Sequence, residues 1–378
     1  MVLVIEFKNI KKSYKSKTIL ENFNLNIDNG KLVVLIGASG CGKTTLLKMI
    51  NRLISITEGE ILINGKNINN MDPIELRRGI GYVIQQTGLF PHMTVKENIE
   101  IIPKLMKKSE SEIEQKTIEL LNMVGLNPKE YLYRYPAELS GGQQQRVGVA
   151  RAFAADAEII LMDEPFSALD PITRTELQQQ LFNIQKEYNK TIVFVTHDMD
   201  EAINIADMIC ILKDGKIIQY DTPENILKNP ENDYVEEFVG RNKIWAKPEF
   251  IKAEDVMINN PAIVSIKRNL LQAREIMRDK TVDSLLIVDK EGILLGYVTL
   301  SDIQKSDNKS ILVGDIMRRS PEYVTEDTNL LDLLEKFTGL KRGYLPVCNK
   351  DGKLMGLVTR STLISVLSSQ YIDIGGDN

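Results

Sequence analysis

Hydrophobic and polar residues between positions 1 and 240 form two alternating kinds of segment. Short apolar runs such as 32–36, 159–162 and 191–195 are typical of buried parallel strands. Between such runs, segments such as 111–121 and 175–188 carry apolar residues at helical spacing. Strands that alternate with helices predict an α/β fold with a doubly wound parallel sheet, whose ligand-binding groups gather at the carboxyl ends of the strands.

Two further patterns add to this sheet. Residues 5–27 alternate apolar and polar positions on both sides of a turn at 13–17, which predicts an antiparallel β hairpin at an edge. Residues 88–136 are mostly helical and interrupt the succession of strands, so we interpret them as a helical insertion. The next helices are predicted over 144–155 and 175–188.

The C-terminal part of the chain contains an internal repeat with an offset of 60 residues. Asp255-Val-Met257 matches Asp315-Ile-Met317, and Gly296-Tyr-Val-Thr299 matches Gly356-Leu-Val-Thr359. Each copy also contains a helical run followed by an apolar strand, as expected for two packed copies of one βαβ-type unit. The predicted organisation is a first domain at 1–240, a linker at 241–252, tandem repeats at 253–370 (copies 253–308 and 313–368) and a tail at 371–378.

The apolar run 32–36 leads directly into a glycine-rich segment with the spacing of a P-loop, and a helical run follows it. Its glycines allow backbone N–H groups to surround phosphate oxygens, and the helix N-terminus adds a favourable dipole. In such a loop Lys43 reaches the β- and γ-phosphates, while the Thr44 hydroxyl holds Mg²⁺. The sequence therefore predicts a nucleoside-triphosphate site. The loop residues expected to bind the nucleotide are Gly37, Ser39, Gly40, Cys41, Gly42, Lys43, Thr44 and Thr45.

Polar residues follow three other apolar runs: Gln85, the pair Asp163 and Glu164, and His197. Because the carboxyl ends of parallel strands share one edge of a sheet, we expect these side chains to lie near the P-loop. Asp163 is expected to bind Mg²⁺ and Glu164 to polarise the attacking water. His197 is expected to reach the γ-phosphate or to stabilise the geometry around that water. Because neighbouring strand residues point in opposite directions, we do not expect the two carboxylates to act as a pair.

Composition limits the classes of function. The formal charge of −5 and the isoelectric point near 5.5 argue against a broad basic surface for nucleic acid. No apolar run approaches the roughly 20 residues that span a bilayer, and early charges do not fit a signal peptide, so we expect a cytoplasmic protein. Cys41, Cys210 and Cys348 lie far apart and are expected to be reduced and non-catalytic.

These motifs together resemble the ATPases of ATP-binding-cassette (ABC) transporters over residues 1–240. The resemblance implies a homodimer in which Ser140 and Gly142 contact the γ-phosphate of ATP bound to the other subunit, with Asp170 at the interface. Spacing alone leaves Tyr14 either an ordinary surface aromatic or a stacking partner for adenine, and the resemblance favours stacking. It also implies that Gln85 is one of the catalytic residues, that it binds Mg²⁺, and that it senses this ion and the transmembrane partner. The motifs that carry the resemblance are Tyr14, the P-loop 37–44, Gln85, Leu139-Ser-Gly-Gly-Gln143, Asp163-Glu164, Asp170 and His197.

Residues 253–368 resemble a pair of cystathionine-β-synthase-type (CBS) repeats, which commonly bind adenosine-containing ligands. ABC ATPases with such a C-terminal pair resemble importers of quaternary amines such as glycine betaine, carnitine and choline. This implies ATP hydrolysis at the cytoplasmic face of the membrane, two permease subunits, an extracytoplasmic substrate-binding protein and no nucleic acid. The alternatives are an importer of another small solute and a soluble ABC ATPase that acts on nucleic acid or ribosomes. The single cassette, the short insertion and the acidic balance favour transport.

The two CBS repeats differ at the position that would hold a ribose. In adenosine-binding repeats an aspartate three residues after a threonine grips both ribose hydroxyls; the first copy keeps Asp302, whereas the second has Thr362. A ligand whose 3′-oxygen belongs to a phosphodiester would not need that aspartate. We therefore hypothesise that the second repeats of two subunits bind cyclic di-AMP and that its binding lowers transport. Tyr344 would stack on the base, and Arg360 beside Thr359 at a helix start would contact phosphate. In another interpretation the CBS pair only supports dimerisation.

Overall fold

The computed structural model describes residues 3–15, 17–85, 88–167, 169–240, 247–306, 311–319, 321–340 and 342–365. The chain forms two compact units, residues 1–239 and 240–378. The predicted tail lies outside the described residues, as do positions 241–246 of the predicted linker.

The first unit contains an antiparallel sheet and a larger, mostly parallel sheet. The antiparallel strands are β1 (Leu3–Tyr14), β2 (Lys17–Asp28), β4 (Glu58–Ile63) and β5 (Lys66–Asn67). The other strands are β3 (Leu32–Gly37), β6 (Ile80–Val83), β7 (Ile159–Asp163), β8 (Thr191–Val195), β9 (Met208–Lys213) and β10 (Lys216–Asp221). Their orders are β2-β1-β4-β5 and β10-β9-β3-β8-β7-β6, and in the second sheet β10 alone runs antiparallel to its neighbour. The predicted parallel core and antiparallel hairpin are confirmed.

Helices connect these strands and form the insertion. They are α1 (Lys43–Ile50), α2 (Pro73–Arg78), α3 (Val95–Leu105), α4 (Glu110–Met123), α5 (Pro128–Tyr131), α6 (Gly141–Ala154), α7 (Pro171–Tyr188), α8 (Met199–Ile205), α9 (Pro223–Lys228) and α10 (Asp233–Val239). α3 to α5 form the predicted helical insertion. The starts predicted for α6 and α7 were too late, because Ser140 and Asp170 cap their first turns and carry the helices back to Gly141 and Pro171.

The parallel sheet holds the site because its central strands are buried on both faces. Every residue of β3, β7 and β8 is buried, which matches their continuous apolar sequences. A hydrophobic core joins these strands to α1 and to the inner face of the antiparallel sheet, with Phe7, Leu35 and Leu46 among its members. Each such side chain contributes about 1.5–3 kcal/mol by leaving water. This packing fixes the strand ends from which the polar residues extend.

The second unit consists of two similar repeats, as the sequence predicted. Its elements are α11 (Ala253–Val256), β11 (Ile263–Ser265), α12 (Leu270–Lys280), β12 (Ser284–Val288), β13 (Leu294–Thr299), α13 (Leu300–Gln304), α14 (Val313–Ile316), β14 (Arg318–Arg319), β15 (Val324–Thr325), α15 (Leu330–Gly339), β16 (Tyr344–Cys348) and β17 (Leu354–Thr359). The sheet orders are β11-β12-β13-β14 and β15-β16-β17.

The repeats exchange their leading segments. Val313 of α14 belongs to the core of the first repeat, whereas Val256 of α11 belongs to the core of the second. In the same way Arg318 pairs with Tyr297 of β13, and Ile258 forms a bridge to Leu357 of β17. Because each copy needs a segment from the other to complete its core, the two repeats form one cooperative unit.

Candidate functional site

The glycine-rich segment lies between β3 and α1 and adopts backbone conformations that require glycine. Gly37, Gly40 and Gly42 have φ values of 152°, 81° and 106°. A Cβ atom on Gly37 would lie 2.1 Å from the backbone oxygen of Leu212, which no rearrangement of side chains would relieve. The other predicted loop residues, Ser39, Cys41 and Thr45, lie in the same turn or in the first turn of α1.

Lys43 begins α1 and directs its ammonium group back into the loop. The residue is only 8% exposed, and its Nζ donates hydrogen bonds to the carbonyl oxygens of Gly37 at 2.7 Å and Ala38 at 3.0 Å. These bonds hold the ammonium group inside the loop, where it can form a charge-assisted hydrogen bond to a phosphate group. The loop and this ammonium together form a cradle whose charge suits a polyphosphate.

Thr44 and Asp163 supply adjacent oxygen atoms at the base of this cradle. Thr44 Oγ1 donates a hydrogen bond to Asp163 Oδ1 at 2.9 Å, across α1 and the end of β7. Burial raises the pKa of Asp163, although the hydrogen bond from Thr44 and the nearby Lys48 oppose the shift. A carboxylate and a hydroxyl in contact fit Mg²⁺, which binds few protein ligands and keeps water and phosphate oxygens for the rest. These are the two oxygen ligands predicted from the sequence.

Glu164 lies directly after β7 and is held by two polar side chains. Its carboxylate accepts a hydrogen bond from Gln85 Nε2 at 3.0 Å, and His197 Nδ1 lies 3.2 Å from the other carboxylate oxygen. The structure thus brings together the residues that follow β6, β7 and β8. Gln85 was also predicted to hold Mg²⁺, but among the described residues its side chain contacts Glu164 and forms no hydrogen bond to Thr44 or Asp163.

The sequence analysis predicted that Asp163 and Glu164 point in opposite directions because they are neighbours on a strand, and this reason was wrong. β7 ends at Asp163, and Glu164 leaves the strand with φ of 46°, in the left-handed region. Its backbone N–H donates to Val195 O at 3.0 Å, which fixes the turn against the neighbouring strand. The carboxylates have different partners because the chain turns between them, and not because of strand alternation.

Tyr14 ends β1, and its ring is 46% exposed. Lys12, which the sequence analysis did not single out, lies on one face of that ring, with Nζ 4.6 Å from the ring centroid. Lys12 is itself buried and donates to Ser55 O at 2.7 Å. The spacing of two residues, which places both side chains on one face of the strand, is the sequence signal that would have identified it.

Ser140, Gly142 and Asp170 line a separate cleft of about 620 Å³, to which no P-loop residue contributes. Ser140 caps α6, and the first turn of that helix lines the cleft. Asp170 caps α7 by accepting a hydrogen bond from the Thr173 N–H at 3.1 Å, and bonding to Thr173 lowers the pKa of Asp170. A Cβ atom on Gly142 would lie 3.0 Å from Leu169 Cδ2, so this turn approaches the loop before Asp170 closely.

Comparisons with known proteins agree with this geometry. The family model "ABC transporter" matches residues 20–167, and the model "CBS domain" matches residues 253–308 and 313–369. The chain is 50% identical to the carnitine transport ATP-binding protein OpuCA of Listeria monocytogenes over 368 residues, which are 96% of this chain and 92% of the relative. It is 49% identical to the glycine betaine/carnitine/choline transport ATP-binding protein OpuCA of Bacillus subtilis, over 99% of this chain and 98% of that protein. The chain belongs to the ABC transporter ATP-binding proteins.

Solved structures support the same assignment for the first unit. The chain matches the dimeric ATP-binding cassette MJ0796 bound to ADP and Pi with a TM-score of 0.53 and 39% identity, over 58% of this chain and 98% of that one. It matches cbiO1 of Clostridium perfringens with a TM-score of 0.57 and 27% identity, over 61% of this chain and 93% of that one. Among the described residues, no helix of this ABC protein is both long enough and apolar enough to cross a membrane.

In the CBS pair of this ABC protein, a cleft of about 1270 Å³ lies between the two repeats. Tyr344 lines it and meets Tyr297 edge-on, with ring centroids 6.4 Å apart. The Arg342 guanidinium lies 5.2 Å from the ring of Tyr297 and 5.8 Å from that of Tyr344. Sequence analysis identified Tyr344 and Thr359 among these lining residues but not Tyr297 or Arg342, because the residues that line a cleft between repeats depend on how the repeats pack.

Arg360 lies at the helix start expected for it but outside the set of residues that line the cleft. Its Nη2 donates to the carbonyl oxygen of Leu340 at 3.0 Å, and its backbone N–H donates to Gly343 O at 3.1 Å. Thr359 lines the cleft and shares three hydrogen bonds with Thr362 around the same turn. The arginine nearest Tyr344 within the cleft is therefore Arg342.

Asp302 has an internal partner. Arg318 of β14 donates two hydrogen bonds to its carboxylate, at 2.7 and 3.1 Å, and Thr299 Oγ1 donates a third at 2.7 Å. Burial alone would raise the pKa of Asp302, but the bonds from Arg318 and Thr299 outweigh it and lower the pKa. The carboxylate that the sequence pattern assigned to a ribose thus joins α13 of the first repeat to β14, which belongs to the leading segment of the second repeat.

Proposed function

We propose that this chain is the ATP-hydrolysing subunit that powers import of quaternary amines such as glycine betaine, carnitine and choline. The observation that carries the hydrolytic role is the position of Glu164 between Gln85 and His197, at the strand end next to the Thr44–Asp163 pair. Identity of 48–50% to carnitine and choline transport ATP-binding proteins, over 96% or more of this chain, supports the substrate class.

The proposed chemistry divides between residues that bind and residues that act on water. Lys43 and the N–H groups of the P-loop hold the phosphates, and Thr44 and Asp163 hold Mg²⁺. ATP supplies the phosphoanhydride bond that is cleaved. Glu164 accepts a proton from the attacking water, and His197 orients that carboxylate. Tyr14, with Lys12 on one ring face, is proposed to offer the other face to adenine.

We infer that two copies of the chain act together with two permease subunits and an extracytoplasmic substrate-binding protein, at the cytoplasmic face of the membrane. The separate cleft lined by Ser140, Gly142 and Asp170 supports the dimer, because these residues contribute nothing to the P-loop of their own chain. A γ-phosphate that a second copy presents to the α6 N-terminus would receive the Ser140 hydroxyl and the helix dipole.

The transport proposal is tested with the chain and its permease subunits in vesicles. ATP hydrolysis should rise when a quaternary amine and its binding protein are added on the side opposite the ATPase, and the amine should accumulate in the compartment that contains the ATPase. A matched complex with Lys43→Ala should show neither response. If an unrelated solute stimulates ATP hydrolysis and no quaternary amine does, the proposed substrate class is wrong, although the proposed ATPase activity is not contradicted.

We propose in addition that the second CBS repeat binds cyclic di-AMP, with Tyr344 against the base and Arg360 near a phosphate, and that this lowers transport. The half-buried aromatic ring of Tyr344 beside Arg342 supports an aromatic anion as the ligand. Calorimetric titration of the full chain with cyclic di-AMP should give saturable binding that Tyr344→Ala and Arg360→Ala both weaken. Binding that is unaltered in Arg360→Ala would contradict the proposed phosphate contact.

A further inference from the structure

One arginine connects the loop before α7 to the segment that carries His197. Arg174 lies in the first turn of α7, and its Nη2 donates to the carbonyl oxygen of Leu169 at 3.2 Å. Its Nη1 lies 3.5 Å from Asp198 Oδ2, and its Nε lies 3.7 Å from Glu201 Oε1. The same guanidinium therefore contacts the residue before Asp170 and two carboxylates just after His197.

The acidic partners lead directly to the histidine. Glu201 accepts a hydrogen bond of 2.6 Å from Thr196 Oγ1, and this hydroxyl in turn accepts one of 3.0 Å from the Asp198 N–H. Asp198 also caps α8 by accepting from the N–H groups of Asp200 and Glu201. The two residues that flank His197 in the chain, Thr196 and Asp198, are thus bonded to or are themselves the carboxylates that Arg174 contacts.

The acidic side of this connection is buried. The Glu201 side chain is 8% exposed, whereas that of Arg174 is 31% exposed and so is only partly shielded from water. One small cleft of about 60 Å³ is lined by Arg174 and Glu201 and also by Glu164 and His197. The Arg174 guanidinium donates a hydrogen bond to one carbonyl oxygen and forms longer ion pairs with two carboxylates, so its planar fork links the two segments; an ammonium group lacks that fork.

We propose that Arg174 is a positioning residue for ATP hydrolysis, which fixes the Leu169–Asp170 segment relative to His197 and, through His197, orients the carboxylate of Glu164. This inference rests on the role proposed above for Glu164. It links the segment that a second copy of the chain would contact to the geometry of the carboxylate that activates water. Displacement of Asp170 would reach Glu164 through Arg174, the Thr196–Asp198 segment and His197.

The test is the steady-state ATPase activity of the full chain with Arg174→Gln. The expected result is a fall in kcat of about tenfold, with KM for ATP within about twofold of the original, because the residue touches no nucleotide-binding group. Arg174→Lys should recover only part of the loss. Lys186→Gln is the matched control, since Lys186 lies on the same helix and pairs with Asp207 at 3.0 Å, away from the site; its kcat should be unchanged.

Further measurements distinguish a positioning role of Arg174 from loss of fold and from a wrong assignment of the site. Adding Glu201→Gln to Arg174→Gln should lower kcat less than the two single effects combined, since both act through one contact. A thermal midpoint equal to that of Lys186→Gln would show that the fall in kcat is not loss of fold. Unchanged kcat in Arg174→Gln, or a rise in KM that accounts for the whole effect, would overturn the inference. If Glu164→Gln also keeps its turnover, the assignment of the site fails instead.

Discussion

The hydrolytic site depends first on how a single residue leaves its strand. Glu164 has φ of 46°, a conformation that costs a residue with a side chain about 1–2 kcal/mol. The bond from its N–H to Val195 O and the contacts from Gln85 and His197 offset this cost. The turn takes Glu164 out of the strand that ends at Asp163. It thereby places the Glu164 carboxylate in contact with Gln85 and His197.

A second residue-scale feature is the position of the Lys43 ammonium within the P-loop. Lys43→Ala should weaken ATP binding at least tenfold, because a charge-assisted hydrogen bond contributes about 1.5–3 kcal/mol. Equilibrium titration with a fluorescent ATP analogue measures this directly. Lys31→Ala, at the opposite end of β3, serves as the control and should bind normally. Equal affinities for Lys43→Ala and Lys31→Ala would mean that the ammonium does not contact phosphate.

Single residues also mark how far the sequence predicts the site. The residues that follow apolar runs were predictable, because parallel strands bring their carboxyl ends to one edge of the sheet. These are the P-loop, Gln85, Asp163, Glu164 and His197. Arg174 and Arg342 were not identified, because their contacts to Glu201 and Tyr297 arise from packing between elements that are distant in sequence. Lys12 was also missed, although its spacing of two residues from Tyr14 was a signal in the sequence. The turn at Glu164 was missed for a related reason: its hydrogen bond to Val195 depends on the order of strands in the sheet.

Among the secondary-structure elements, the two CBS repeats differ in the residues that attach the exchanged segments. Arg318 and Asp302 join β14 to α13 in the first repeat. The positions 60 residues away from them hold Ile258 and Thr362, so the second repeat lacks both charges. Because both members of the pair differ together, the aspartate of the first repeat is explained by its partner without any ribose.

This ion pair predicts a pH dependence of the first repeat. The pKa of Asp302 is lowered in the folded chain, so its stabilising effect is present above the unfolded pKa of about 3.9 and is lost as pH falls through the lower folded value. Asp302→Asn should therefore speed amide exchange of residues 311–319 at pH 7, whereas near pH 3 the difference from the original chain should shrink. Mass spectrometry of peptides after hydrogen exchange measures the exchange rate of residues 311–319 separately from the rest of the chain.

The matched control is Asp332→Asn, which removes a carboxylate from the first turn of α15. Asp332 accepts its side-chain hydrogen bond from Asn329 and not from an arginine. The control variant therefore removes a carboxylate at a helix start without breaking an ion pair with arginine. Exchange of residues 311–319 should be unaffected by Asp332→Asn. Equal protection of this segment in Asp302→Asn and in the original chain at pH 7 would contradict the role of the ion pair.

For the whole molecule, the account requires a second copy of the chain. Ser140 and Gly142 line a cleft that the P-loop of the same chain does not share, so one copy holds only half of each proposed site. Closure costs translational and rotational entropy, which binding of ATP between two copies offsets. Specific ATPase activity should therefore fall on dilution. A flat profile in samples that sediment as monomers with ATP present would contradict the shared site.

The fold itself was largely predictable at this scale, because strand–helix alternation and the 60-residue repeat are periodic signals along the sequence. The starts of α6 and α7 were less predictable, since the capping side chains of Ser140 and Asp170 extend each helix beyond its apolar pattern. The exchange of leading segments between repeats was also missed. It depends on which copy each segment packs against, and the repeated sequence pattern does not predict this.

The measurement that tests the central claim most directly is ATP turnover by Glu164→Gln. The amide keeps the shape of the carboxylate and its contacts with Gln85 and His197, but it does not accept a proton from water. We expect turnover to fall by at least about a hundredfold, which is the lower range for a general base, while ATP still binds and ATP-bound dimers accumulate. Hydrolysis near the original rate, with ATP bound normally, would contradict the role of Glu164 and the hydrolytic mechanism built on it.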